Sequence, residues 1–177
     1  MLETHPFGVF TPKNSHYLIL GSFIARRTQD SYDWFYSKKQ NQFWPILEKV
    51  YGVRLKGKKA KQALFKRLKI AVTDVIYKCE RSKNNSLDSS LTNCVYNISA
   101  IEKILKENPV EKIFFTSQFV EKEYKKHFQD LVRRYPRIEL ITLPSPSPRY
   151  AAMNKEEKIK KYSQAFPKLS TNIPVEN

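Results

Sequence analysis

The residues best suited to chemistry gather in two short stretches. The first starts at Gly21-Ser22-Phe23-Ile24-Ala25, passes through Tyr32, Trp34, Phe35 and Tyr36, and ends at Asn41-Gln42-Phe43-Trp44. A carboxamide such as Asn41 presents one donor and one acceptor to the edge of a heterocycle. Aromatic faces beside it can stack on an unpaired base, at about 1–3 kcal/mol each. A plainer reading stands next to this one: Trp34, Phe35, Phe43 and Trp44 as core, and Asn41 as the cap of the following helix. The second stretch is Pro144-Ser145-Pro146-Ser147-Pro148-Arg149-Tyr150. Its three prolines fix their φ angles, so the loop is stiff. A stiff loop ending in Arg149 and Tyr150 suits insertion into a duplex, where unstacking costs a few kcal/mol per step. The alternative is a surface turn.

Other chemistries find no frame. His5, His16 and His127 are scattered, and Cys79 and Cys94 lack metal-ligand spacing, so neither a metal nor another cofactor is expected. The cysteines read as reduced thiols of a cytoplasmic protein. Ser145 and Ser147 lack a Gly-x-Ser-x-Gly setting, and four glycines in the whole chain cannot supply a phosphate-cradling loop. The opening residues Met1 to Pro6 lack the pattern of a secretory signal, and no apolar run is long enough to span a bilayer. Charge points to a partner: 32 Lys and Arg against 17 Asp and Glu give a formal +15. A field of that sign draws polyanions. No stretch pairs a basic face with a large apolar one, so nucleic acid is favoured over membrane.

These residues must be held by a scaffold that the hydrophobic pattern outlines. Four apolar runs read as strands, near 17–22, 70–75, 112–116 and 138–143. Between and after them lie helical patterns: 42–51, with Pro45 in its first turn and Gly52 closing it; 58–68, with Ala60, Ala63, Leu64 and Leu68 inward; and 97–107, with Ile98, Ile101, Ile104 and Leu105 inward. A long helix is expected over 118–133, and a last one capped by Asn154 with Glu157 in a capping box. Residues 82–86 read as a polar loop. Alternating strands and helices predict an α/β fold, a four-stranded parallel sheet in three α/β/α layers. The 177 residues read as one domain with a frayed tail over 170–177. Ligands in such sheets sit beyond the carboxyl ends of the strands, which is where both chemical stretches fall.

Taken in order, these motifs resemble the uracil-DNA glycosylase superfamily, and most closely its hypoxanthine-DNA glycosylase branch, related to the mismatch-specific uracil and thymine glycosylases. The residues concerned are His5-Pro6-Phe7, Leu18 to Phe23, Asn41-Gln42-Phe43-Trp44-Pro45, Asp74-Val75, Cys79-Glu80-Arg81, Ser86 to Ser90, Ile113-Phe114-Phe115 and Leu143 to Pro148. The match runs from about residue 5 to 166. Phe23 stands where the mismatch-specific relatives carry Asn, as it does in the hypoxanthine branch. Ile24 and Ala25 replace a Pro and a Gly. Thr116-Ser117 replaces Asn-Gly, and Arg149-Tyr150 replaces Ala-Asn.

The resemblance implies a cofactor-free, monofunctional hydrolase of base excision repair. It would flip a deaminated base, uracil or hypoxanthine, out of DNA and hydrolyse its N-glycosidic bond. Asn41 and Ser22 would carry the chemistry, and Phe23, Tyr36, Asp74 and Thr116 would bind the base. Ser145, Ser147, Arg149 and Tyr150 would meet the DNA. A monomer is expected. Two other readings stay open: a base-recognising module of the same fold without catalysis, and an unrelated basic RNA-binding α/β domain.

Overall fold

The computed structural model describes residues 1–24, 32–82 and 87–170. Ala25, the Arg26-Arg27 pair, most of the polar loop (83–86) and residues 171–177 of the tail lie outside the described residues. In chain order the elements are β1 (Leu2–Thr4), β2 (Tyr17–Gly21), α1 (Phe43–Tyr51), α2 (Gly57–Leu68), β3 (Ile70–Asp74), β4 (Ile76–Arg81), β5 (Leu91–Tyr96), α3 (Ile98–Glu107), β6 (Lys112–Phe115), α4 (Gln118–His127), α5 (Gln129–Arg134), β7 (Glu139–Thr142) and α6 (Lys155–Ala165). A single 3-10 turn, Asp88–Ser90, precedes β5.

The four expected strands form one parallel sheet in the order β3-β2-β6-β7. Its side chains alternate between two cores, as the period of two requires. Ile19, Ile70, Val72 and Phe114 pack on one face with the apolar sides of α1, α2 and α6. Leu18, Leu20, Ala71, Ile113 and Phe115 pack on the other with α3, α4 and α5. Strands buried on both faces read as near-continuous apolar runs. Gly52 ends α1 in the left-handed region at φ 63°, where a glycine costs least. Asn154 and Glu157 form the capping box of α6, each side chain accepting from the other's N–H at 2.9 Å.

The structure corrects the sequence reading in four places. The helix expected over 118–133 is two helices that meet at Phe128. The break lies at Phe128 itself, whose φ of −117° and ψ of 30° depart from helical values, while Val120, Tyr124, Phe128 and Leu131 keep one inward face across it. Ala63 faces solvent, because the buried face of α2 is Lys61, Leu64, Phe65 and Leu68. Ile98, on the opening turn of α3, is exposed. Finally, β1, β4 and β5 form a second, antiparallel sheet in the order β1-β4-β5 that the sequence reading did not contain. It carries both free cysteines, Cys79 buried and Cys94 partly exposed. Among the described residues no helix is long and apolar enough to cross a membrane.

Candidate active site

A cavity of about 420 Å³ opens at the carboxyl ends of the parallel strands. All ten candidate residues line it: Ser22, Phe23, Tyr36, Asn41, Asp74, Thr116, Ser145, Ser147, Arg149 and Tyr150. The sheet explains the gathering. Gly21 pairs with Asp74 across β2 and β3. Thr116 follows β6, its N–H and hydroxyl both donating to the Leu20 carbonyl at 3.1 and 3.3 Å. The proline loop leaves β7, and the Gln42 N–H holds it by donating to the Pro146 carbonyl at 2.9 Å. The loop therefore reaches the segment that carries Asn41.

The floor is built around Gly21. A Cβ there would collide with Asp74 Oδ1 and stand 2.7 Å from the Tyr36 hydroxyl, so only glycine lets these two groups converge. Asp74 is buried, and its other oxygen, Oδ2, lies 2.7 Å from His5 Nε2. Because His5 Nδ1 accepts from the Phe7 N–H at 3.2 Å, Nε2 is the nitrogen that carries the proton and donates it to Asp74. Asp74 Oδ1 and the Tyr36 hydroxyl are buried with no hydrogen-bond partner among the described residues. Burial pushes the Tyr36 phenol well above its ordinary pKa, with the Asp74 carboxylate acting the same way and the Thr116 hydroxyl opposing. The Thr116 hydroxyl donates to the Leu20 carbonyl, so its proton is not available to the phenol oxygen. Tyr36 also holds a left-handed backbone at φ 57°, a strained conformation for a bulky residue. Its ring packs 4.4 Å from Phe43, centroid to centroid.

Asn41 does two things at once. Its Oδ1 accepts from the Phe43 N–H at 2.8 Å, fixing the start of α1, and this orientation leaves its amide N–H₂ as the donor to the cavity it lines. The N-cap of α1 is Gln42, whose side chain makes no capping bond, so Asn41 supports the helix from one residue before the cap while it also lines the cavity. Trp34, Phe35, Phe43 and Trp44 are core, all buried, while Phe35 also borders the cavity. Ser22 Oγ donates to Asp88 Oδ1 at 2.6 Å. Burial is the main reason the Asp88 carboxyl lies above its usual pKa.

Lys158 ties the mouth together. It is fully buried, yet among the described residues its ammonium donates only to neutral partners: Gln42 Oε1 at 2.9 Å and the Ser147 carbonyl at 3.1 Å. It also lies 5.4 Å from the centre of the Tyr150 ring. Desolvation lowers its pKa. Arg149 and Tyr150 stand exposed at the rim.

Sequence reasoning missed His5, Asp88 and Lys158. His5 acts through a residue 69 positions away, a pairing only the fold reveals. Asp88 was in view within Ser86 to Ser90, but next to a hydrophilic loop it carried no distinguishing signal. Lys158 was one lysine of a basic helix.

No model of a known protein family matches this chain, and neither does any curated protein. Among solved structures, the chain is similar to a solution NMR structure from Methanosarcina acetivorans, of a protein provisionally named a uracil DNA glycosylase. The TM-score is 0.69 at 23% identity, covering 94% of this chain and 97% of that one. The architecture is therefore a uracil-DNA-glycosylase-like α/β fold.

Proposed function

We propose that the protein is a monofunctional DNA glycosylase that releases a deaminated base, uracil or hypoxanthine, by hydrolysis. The observation that carries this is the cavity floor: an acceptor, Asp74 Oδ1, and a donor, the Tyr36 hydroxyl, converge beside Gly21 without partners among the described residues. Buried polar groups are normally satisfied, so a floor of this kind is suited to a ligand edge that offers a donor and an acceptor. Heterocyclic bases offer that edge. The fold likeness and the formal +15 charge support DNA as the carrier of the base.

In this reading the nucleotide is flipped into the cavity. Phe23 and Tyr36 flank the base, while Asp74 and Thr116 meet its polar edge. As the bond to the sugar breaks, an oxocarbenium-like sugar forms and negative charge moves onto the base. The Asn41 amide and the backbone N–H groups of Ser22 and Phe23 stabilise that charge or orient the attacking water. Ser145, Ser147, Arg149 and Tyr150 hold the strand at the mouth.

The test is release of uracil, hypoxanthine and xanthine from single- and double-stranded oligonucleotides, read as nicking after alkali. Nicking without alkali, with borohydride trapping at Lys38, the one lysine on the cavity lining among the described residues, would contradict the monofunctional mechanism. Tight binding of such strands with no release of any base would leave the non-catalytic module of the same fold.

A further inference from the structure

We infer that Arg81, on the second sheet, is a positioning residue of this cavity: it sets the Phe23 ring against which a flipped base stacks, and Glu3 on β1 sets Arg81 in turn. The inference rests on the glycosylase reading and names the device that fixes one wall of its site.

A stacking wall works best when it is already still. A ring that has to be ordered as the base arrives loses part of the about 1–3 kcal/mol that stacking supplies. Phe23 cannot draw that order from the parallel sheet, because β2 ends at Gly21. Beyond that point the chain is tied to β4. At one end of β4 the Ile76 N–H donates to the Ser22 carbonyl at 3.1 Å. At the other end Arg81 donates from Nη2 to the Ile24 carbonyl. Phe23 lies between these two ties. Its ring is held as well. The Arg81 guanidinium carbon lies over it, 5.4 Å from the ring centre, within cation–π range. The His5 ring stands nearly perpendicular to it at 5.7 Å and 78°. What the ring still exposes lines the cavity.

Arg81 is itself anchored. Its Nε donates to both Glu3 oxygens at 3.1 Å, and Glu3 pairs with Cys79 across β1 and β4. The Arg81 side chain is only 5% exposed, which sets it apart from the surface cations that would meet phosphate. A planar guanidinium serves a carboxylate, a carbonyl and an aromatic face together, whereas a lysine ammonium is a compact point charge without that fork. Through this one side chain the antiparallel sheet acts on a cavity built at the ends of the parallel one.

Single-turnover release of uracil and of hypoxanthine from matched strands tests this. The proteins are wild type, Arg81→Met, Arg81→Lys, Phe23→Ala and the double variant Phe23→Ala/Arg81→Met, each checked by melting. Arg81→Met is expected to slow release by about 10-fold, inside the span of one stacking contact, and Arg81→Lys nearly as much. In the Phe23→Ala background the same change should add less than about 2-fold, because the two residues act as one unit. Affinity for undamaged duplex and its slope against salt should stay at wild type; a phosphate contact would reduce the slope by about one. Glu3→Ala loosens Arg81 without removing it. It should slow release severalfold, again only with the Phe23 ring in place, and it keeps the test decisive if Arg81→Met does not fold. Equal slowing with and without the Phe23 ring would make Arg81 a stabiliser of the fold. A folded Arg81→Lys at the wild-type rate would make its charge sufficient, and a reduced salt slope would make it a phosphate contact. Each of these overturns the inference and leaves the glycosylase reading standing. Wild type that releases no base overturns both.

Discussion

Single side chains at this site hold more than one role, and the substitutions worth making separate those roles. Asn41 is the clearest case. Asn41→Ala removes both the acceptor that fixes α1 and the donor that faces the cavity. It should cost about 1 kcal/mol of stability as the lost hydrogen bond to the Phe43 N–H and about 10²–10³-fold in excision rate as a lost donor. Asn41→Asp keeps an oxygen for the Phe43 N–H, removes the donor and adds a carboxylate to the cavity lining. It should melt near wild type and still fail in single-turnover excision; retention of the wild-type rate would reduce Asn41 to a support for the helix start. Asp88 carries a stability cost as well. Because its folded pKa is raised, the folded state binds the proton more tightly than the unfolded chain. Stability from this group is fully present below the unfolded value and is lost as pH rises through the folded one. Asp88→Asn keeps the Ser22 bond and removes that loss, so the variant should melt above wild type at neutral pH. The difference should vanish in acid, where the Asp88 carboxyl of wild type is protonated in the folded and unfolded chain alike; melting curves at both pH values decide this.

The elements differ in how plainly they were written in the chain. Tyr17–Gly21 and Ile70–Asp74 are apolar on both faces because helices cover both, so short unbroken runs announced them. The second sheet gave no such run. Its central strand carries Lys78, Glu80 and Arg81, and its pairing with β5 is interrupted by two register shifts, which breaks the alternation that betrays a strand. The gathering of all ten candidate residues on one cavity was legible because each follows a strand end or belongs to the helix-entry segment beside one. The floor was not: the convergence of Asp74, Tyr36 and His5 depends on register and on a missing Cβ. The clamp at Lys158 is also an element-scale device, joining α6 to the start of α1 and to the proline loop. Lys158→Met leaves the Gln42 side chain and the half-buried Ser147 carbonyl without their shared donor, a loss of about 1 kcal/mol. The variant should melt earlier and lose affinity for damaged duplex more than for single strands, as the loop loosens from α1. Equal losses on both would make the lysine a stabiliser of the fold alone.

At the scale of the whole molecule the formal +15 governs encounter. Each phosphate neutralised by a Lys or Arg releases counterions, so affinity for DNA should fall steeply between low and physiological salt. A titration that shows no change would contradict phosphate-led binding. The fold also makes the cavity answer to a distant end of the chain. His5 follows directly from β1, whose three residues pair with β4 at Leu2↔Glu80, Glu3↔Cys79 and Thr4↔Lys78; the His5 N–H adds a bond to the Tyr77 carbonyl at 2.9 Å. Three residues of strand are thus the anchor for the imidazole that orients Asp74. Anyone building on this protein should leave residues 1–5 untrimmed and place a purification handle or fusion partner at the opposite end. A graft at the front that peels β1 from β4 would take from the cavity its proton donor to Asp74, and an assay of such material would mistake a cloning choice for an inactive protein.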